Sequence, residues 1–147
     1  MHSSKFGQLV AANDNLAGRY RGYIHAEDAN KYELEDETFV VVVHNCKSTT
    51  HCSLLAMKNG WTYHLNSCQG PTVPGAITVP FQLQHPMTSV CAIYVLYFAS
   101  GLFNDETLEN MLSVFDYFNQ WSNDVCMVAW FREFVDDDLG SWFWTLY

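Results

Sequence analysis

The sequence predicts an α+β fold in which a central mixed sheet packs against one buried helix. Between residues 39 and 83, β-branched and aromatic runs alternate with short turns, a pattern typical of strands. Val90–Ala99 is apolar on every face, as expected for a helix that is buried all round. After residue 105 the apolar residues recur at helical spacing. We expect one domain over residues 1–147, long enough to bury a substantial core.

Four strands are predicted in the first half of the chain. The run FVVVV at residues 39–43 is the first, residues 51–57 form the second and residues 61–65 the third. The tripeptide Lys58-Asn59-Gly60 predicts a tight hairpin between the second and third strands. Residues 77–83 form a fourth strand, which leads into a turn.

The predicted helices begin with a short one at Ser3–Ala12, followed by turn and loop over residues 13–22. In the buried helix, Thr88 or Ser89 is the expected N-cap, because a hydroxyl can accept from the first free N–H groups. Gly101 is the expected stop of that helix.

Two more helices are expected towards the C-terminus. Residues 106–121 form one, because apolar side chains recur there at helical spacing. Residues 125–135 form the other, with a strand as the alternative. The segment GSWFWTLY at residues 140–147 alternates and is rich in strand-forming residues, so it is predicted to be strand-like.

Composition limits the classes of function. The chain has 7 basic and 16 acidic residues, a net charge of −9, which argues against nucleic acid as the main partner. Five irregularly spaced cysteines indicate reduced thiols rather than a disulfide framework. The first ten residues lack the apolar core of a secretory signal, and the longest apolar run, Val90–Phe98, is too short to cross a membrane. We therefore expect an intracellular protein without a membrane span.

Cys91 lies where the predicted turn becomes the buried helix. A thiol in the first helical turn lies near the positive end of the helix dipole, which favours the nucleophilic thiolate. The alternative is that Cys91 is a small buried residue, since free cysteine is among the most buried residue types. This stretch alone does not decide between them.

Three other residues could complete a thiol-protease site around Cys91. Such a site needs a base, a group that orients the base, and donors for the oxyanion. His51 opens one strand and Asn66 closes its hairpin partner, so their side chains can lie side by side. Gln84 precedes Cys91 by seven residues across a turn, so its amide could point back over the helix start. The order along the chain is His, Asn, Gln, Cys.

A competing hypothesis assigns the residues around His51 to zinc. His44, Cys46, His51 and Cys52 are all common zinc ligands. Their spacing differs from structural zinc sites, whose ligands come from two separated pairs. The catalytic hypothesis is therefore preferred, and no cofactor is expected.

The four-residue pattern resembles the adenovirus protease (adenain) family, which is related to the SUMO-deconjugating proteases. The resemblance runs from Phe39 to Phe103. In that family a histidine opens a strand, and an acid or amide follows in a motif similar to residues 63–70 (YHLNSCQG). A glutamine then precedes the nucleophile in a turn similar to residues 84–91 (QHPMTSVC).

Three positions depart from the family pattern. Relatives usually have tryptophan after the histidine, where this chain has Cys52, and glycine after the nucleophile, where it has Ala92. They often have a carboxylate where this chain has Asn66, although asparagine orients the histidine in papain-like enzymes.

The resemblance implies a papain-like cysteine protease that cleaves viral precursor structural proteins near glycine. Cys91 would be the nucleophile and His51 the base; Asn66 would orient His51, and Gln84 would stabilise the oxyanion. Its location would be the host nucleus or cytoplasm, or the virion. Two alternatives stay open: an isopeptidase that removes a ubiquitin-like protein, and an inactive interaction module with the same fold.

Adenovirus proteases are activated by a separate peptide that adds to a sheet edge, so an activating peptide is a further partner that the resemblance implies. This chain carries a strand-like aromatic segment of its own at residues 140–147. We expect that segment either to dock onto the domain as a regulator or to be an ordinary core element.

Overall fold

The computed structural model describes residues 3–45 and 50–138, without the side chains of residues 3 and 136–138. Cys46 and the segment 140–147 lie outside the described residues, so the predictions made for them stay predictions. Over the described residues the fold is α+β, with a five-stranded mixed sheet and four α-helices. The coarse fold class predicted from the sequence is therefore confirmed.

The sheet has its strands in chain order, β1-β2-β3-β4-β5. The strands are Tyr20–His25 (β1), Thr38–Asn45 (β2), Thr50–Lys58 (β3), Trp61–Leu65 (β4) and Ile77–Thr78 (β5). The central pairs β2/β3 and β3/β4 are antiparallel, whereas β1 and β5 are added in parallel at the two edges. The hairpin predicted at residues 58–60 is present, and Asn59 and Gly60 both have the positive φ that such a turn requires.

The helices are Ser3–Ala12 (α1), Cys91–Phe103 (α2), Leu108–Leu112 (α3) and Gln120–Asp138 (α4), and a 3-10 helix covers Ala26–Lys31. The predicted helices at residues 3–12 and 125–135 are confirmed. No helix of residues 3–45 and 50–138 is long and apolar enough to cross a membrane.

The two faces of the sheet bury different amounts of apolar surface. One face holds the main core, where Phe39, Val41 and Leu54 pack against α1, α2 and α4. The other face is covered by a smaller cluster around Val40 and Val42, near the 3-10 helix. The continuous valine run of β2 follows from this arrangement, because its side chains are buried on both faces.

Helix α2 is the centre of the main core, since eleven of its thirteen residues are buried. The predicted stop at Gly101 is wrong, because the helix continues to Phe103. Gly101 instead allows a close approach: a Cβ at this position would lie 2.8 Å from Cγ of the buried Met111. The predicted N-cap is also wrong, because the cap residue is Val90 and no side chain caps this helix.

Two predictions about the strands need correction. Residues 13–22 were expected to be turn and loop, yet β1 begins at Tyr20 and pairs with β2. Gly22, with φ of 92°, falls in an irregular step of that pairing, and a glycine there weakens the strand pattern in the sequence. The fourth strand ends at Thr78 instead of residue 83. Pro80 follows closely and has no N–H to extend the ladder.

The single helix predicted over residues 106–121 is also wrong, since α3 covers only Leu108–Leu112 and α4 begins at Gln120. Asp116 competes with the helix: its carboxylate accepts from the Phe118 N–H at 2.9 Å, a local turn contact. Phe118 is one of the apolar residues at helical spacing on which the predicted helix over residues 106–121 was based, and it is 94% exposed. Phe115 does reach the core, through the turn that follows α3.

Candidate active site

The four residues predicted for catalysis come from four parts of the fold and line one cleft. His51 lies near the start of β3, Asn66 directly follows β4, and Cys91 is the first residue of α2. Gln84 lies in the loop between β5 and α2. The β3–β4 hairpin and the packing of α2 on the sheet bring them together.

His51 and Asn66 form the contact that the hairpin predicted. The His51 Nε2 lies 2.6 Å from the Asn66 Oδ1. Because an amide oxygen can only accept, His51 carries a proton on Nε2, and Nδ1 is the nitrogen available to Cys91. The same Oδ1 accepts from the Cys68 backbone N–H at 3.0 Å. Asn66 is buried and is held by this second bond in the orientation that fixes the imidazole.

Cys91 begins α2 in a position suited to a nucleophile. Val90, the N-cap residue, supplies no side-chain hydrogen bond to the first turn. The backbone N–H groups at this end of the helix therefore have no side-chain cap, and the helix dipole favours negative charge beside them. The Cys91 side chain is 8% exposed and lines the cleft.

Cys52 contacts the Cys91 sulfur, and the sequence did not predict this contact. Its thiol donates to Cys91 Sγ, with the two sulfurs 3.3 Å apart. This hydrogen bond lowers the pKa of Cys91 most, and the contact with His51 lowers it further, while burial opposes both. The net effect is a lowered pKa for the Cys91 thiol, which favours the thiolate.

The pKa of His51 shifts in the opposite direction. Burial lowers the pKa of His51, but the hydrogen bonds to Cys91 and Asn66 and the charge of the thiolate outweigh it. The net pKa of His51 is raised. Cys91 and His51 therefore favour the thiolate–imidazolium pair, the arrangement that a thiol nucleophile and its general acid require.

Gln84 is almost fully buried and spans the turn before the helix. Its Oε1 accepts from the Ser67 hydroxyl at 2.6 Å. Its Nε2 donates to the Thr88 carbonyl at 3.0 Å and lies 3.4 Å from the Thr88 Oγ1. The amide nitrogen has two hydrogens, and both of its contacts are with Thr88.

Two residues of α4 hold this turn in place, and sequence reasoning missed both. The buried Asp124 carboxylate accepts from the Thr88 hydroxyl at 2.9 Å and from the Tyr94 hydroxyl at 2.8 Å. The buried Asn123 donates to the Leu83 carbonyl at 3.1 Å. Helix α4 is thereby tied to the loop that carries Gln84 and to the helix that carries Cys91. An acidic residue between an asparagine and a valine gives no such indication in the sequence.

A second imidazole network lies beside His51. The Val73 N–H donates to His64 Nδ1 at 2.9 Å, so His64 carries its proton on Nε2 and donates to the Ser53 Oγ at 2.9 Å. The Ser53 hydroxyl lies 2.8 Å from His44 Nε2, and the His44 ring is 5.6 Å from the His51 ring. Burial, with a smaller effect of His44, lowers the pKa of His64 to about 4.

Three of the four residues in the zinc hypothesis have their side chains in contacts with other residues. His44 faces Ser53 through Nε2, His51 faces Asn66 through Nε2, and Cys52 faces Cys91. Within residues 3–45 and 50–138 no three histidine, cysteine or acidic side chains are grouped as a metal site. Cys46, the fourth proposed ligand, is outside the described residues.

Two cavities meet at the nucleophile. The cleft of about 610 Å³ contains Asn66 and Gln84, and a second, more apolar cavity of about 390 Å³ lies beside Cys52. They share four lining residues, which are Thr50, His51, Ser89 and Cys91. An extended ligand could thus pass the sulfur of Cys91 and occupy both sides.

In comparisons with known proteins, no family model, curated protein or solved structure matches this chain. The functional assignment therefore depends on the site itself and on the sequence resemblance.

Proposed function

We propose that this protein is a papain-like cysteine endopeptidase of the adenain type. The observation that carries the proposal is the position of His51, with Asn66 Oδ1 2.6 Å from Nε2 and the other ring nitrogen available to Cys91, which lines the same cleft. A Cys-His-Asn set with these roles is known in papain-like proteases. Chance burial of a cysteine does not account for a histidine held in the tautomer that catalysis needs.

The reaction would begin when the Cys91 thiolate attacks the carbonyl carbon of the scissile peptide. The oxyanion that forms would accept from the Cys91 backbone N–H and from Gln84 Nε2. The His51 imidazolium would give its proton to the leaving amine, which leaves an acyl-enzyme thioester. Neutral His51 would then take a proton from water as the water attacks the thioester, releasing the acid and Cys91.

The resemblance supplies the substrate class. It favours precursor structural proteins of a virus, cut near glycine, with the host nucleus or cytoplasm as the site of action. The two cavities on either side of Cys91 support a substrate that extends past the nucleophile.

A screen of glycine-rich fluorogenic peptides tests the proposal. We expect cleavage by the wild-type protein and loss of turnover in Cys91→Ala, because covalent catalysis is removed while alanine is well tolerated in a helix. Cys126→Ala, on α4, is the matched control and should keep activity. Cleavage of only C-terminal adducts of ubiquitin-like proteins would favour the isopeptidase instead. Activity in Cys91→Ala, or no turnover of any substrate, would contradict the proposal.

A further inference from the structure

The thiols of Cys52 and Cys91 are in contact although the residues are far apart in the chain. Cys52 lies on β3 and Cys91 begins α2, and their sulfurs are 3.3 Å apart. A disulfide bond needs a separation of about 2.05 Å, so the sulfurs need to approach by little more than an ångström. The contact is built by the packing of α2 on the sheet.

Among the cysteines of the described residues, only Cys52 forms a hydrogen bond with the Cys91 thiol. Cys68 lines the same cleft as Cys91, but its sulfur makes no hydrogen bond to that thiol. Cys126 lies on α4, a different element. Within the part of the chain that the structure describes, Cys91 therefore has one preformed thiol partner.

We propose that Cys52 and Cys91 form a reversible disulfide when the protein meets a hydroperoxide. Cys91 is the thiol that is oxidised first, and Cys52 is the thiol that resolves it. The Cys52–Cys91 pair is thus a modification site, and its substrate class is hydrogen peroxide or a small organic hydroperoxide. This inference does not depend on peptide cleavage.

The chemistry proceeds in two steps. In the first, the Cys91 thiolate attacks one peroxide oxygen, the O–O bond breaks, and a Cys91 sulfenic acid and hydroxide or alkoxide form. In the second, the Cys52 sulfur attacks the Cys91 sulfur, and the sulfenic oxygen leaves as water with the Cys52 proton. The two sulfurs together lose two electrons, which reduce the peroxide. A thiol reductant reverses the reaction by exchange.

The surroundings favour the oxidation of Cys91 and hold Cys52 beside it, although the hydrogen bond to Cys91 and burial raise the pKa of the Cys52 thiol. The hydrogen bond from Cys52 lowers the pKa of Cys91, and the thiolate is the form that peroxide oxidises. Both thiols line the cavity of about 390 Å³, which is large enough to admit a hydroperoxide. The Cys52 proton already points at Cys91, so the resolving sulfur is in place when the sulfenic acid forms.

A disulfide with Cys52 would protect Cys91 from irreversible oxidation. A bridged Cys91 cannot attack a carbonyl, and it cannot proceed to sulfinic acid, which thiols do not reverse. The pair would suspend the thiol chemistry of the site under oxidation and restore it on reduction.

Peptide mapping of the full chain after treatment with hydrogen peroxide tests this proposal. We expect a Cys52–Cys91 cross-linked peptide in the wild-type protein, removed by dithiothreitol. Cys52→Ser keeps a hydroxyl donor of similar size but should lose the bridge completely, and its Cys91 should proceed to sulfinic acid. Cys68→Ser, a cysteine variant in the same cleft, is the matched control and should form the bridge as the wild type does.

Two outcomes would overturn the proposal. One is a Cys91 that reaches sulfinic acid equally fast in the wild type and in Cys52→Ser. The other is a bridge from Cys91 to a cysteine other than Cys52. If Cys52→Ser does not fold, the wild-type map decides alone, since it identifies the bridged residues directly. Peptide cleavage is not measured in this experiment, so its result is separate from the test of the protease.

Discussion

At the scale of single residues, Asn66 determines how His51 is presented to the nucleophile. Its Oδ1 accepts from His51 and from the Cys68 N–H, so the amide cannot rotate without losing both bonds. An amide can orient the imidazolium but cannot stabilise it by charge, unlike the carboxylate that many relatives in the resembled family have. In the proposed mechanism Asn66 therefore has a smaller share in catalysis than Cys91 or His51.

Substitutions at Asn66 should show this difference in kcat. We expect Asn66→Ala to lower kcat less than His51→Ala, because it removes only an orienting hydrogen bond. Asn66→Asp should equal or exceed the wild type, since a carboxylate keeps the geometry and adds charge. Steady-state kinetics on a glycine-rich peptide provide the measurement. If Asn66→Ala had unchanged kcat, another residue would orient His51.

Part of the site could be predicted from the sequence at this scale. The β3–β4 hairpin sets a short-range register, so the meeting of His51 and Asn66 follows from local rules. The contacts of Cys52 with Cys91 and of Asp124 with Thr88 could not be predicted, because they join residues more than thirty positions apart. Such contacts depend on how helices pack on the sheet, which no local pattern records.

At the scale of elements, α2 depends on the absence of a side chain at Gly101. Sequence rules interpret a glycine near the end of an apolar run as a stop, but here the glycine lets α3 approach the helix. The error shows that a glycine in the sequence can indicate either the end of a helix or a close approach between two helices. The predicted length of α3 was wrong for a related reason, since the side chain of Asp116 forms a turn that apolar spacing does not reveal.

Gly101→Ala should destabilise the protein. The added Cβ would lie 2.8 Å from Cγ of the buried Met111, so α2 and α3 must separate or Met111 must repack. Overpacking of this kind costs about 1–3 kcal/mol. Gly7→Ala is the matched control, since Gly7 is also helical and its Cβ would meet nothing within 4 Å. Gly7→Ala should be neutral or stabilising by helix propensity. Equal unfolding free energies for the two variants would refute this account of Gly101.

At the scale of the whole molecule, the sheet separates an apolar core from a polar network of histidines. The main core and α2 occupy one face, while His44, Ser53 and His64 lie on the other face near the smaller cluster. The α+β class and most of the central elements follow from the sequence, because their apolar runs are long and periodic. The histidine network does not, because its tautomers are determined by a loop N–H from Val73.

This network should make stability depend on pH. The folded pKa of His64 is lowered from 6.5 to about 4, so between these values the unfolded chain binds a proton that the folded protein does not. Stability is therefore fully present above pH 6.5 and falls as pH falls towards 4. At about 1.4 kcal/mol per pKa unit, the loss would be about 3 kcal/mol.

Urea unfolding of the wild type and His64→Gln at several pH values measures this loss. Glutamine retains polar atoms but does not titrate, so the variant should lose less stability than the wild type on acidification. Parallel pH profiles for the two proteins would contradict a buried neutral His64.

The central claim is that Cys52 and His51 together stabilise the thiolate of Cys91, and the pH dependence of its alkylation tests this most directly. Iodoacetamide is added to the full chain across a range of pH, and the modified peptide is quantified for each of the five cysteines. We predict that Cys91 reacts fastest near neutral pH, with an apparent pKa well below that of an ordinary thiol, and that His51→Ala raises this pKa. A Cys91 whose reactivity follows an ordinary thiol in the wild type, or is unaffected by loss of His51, would contradict the account.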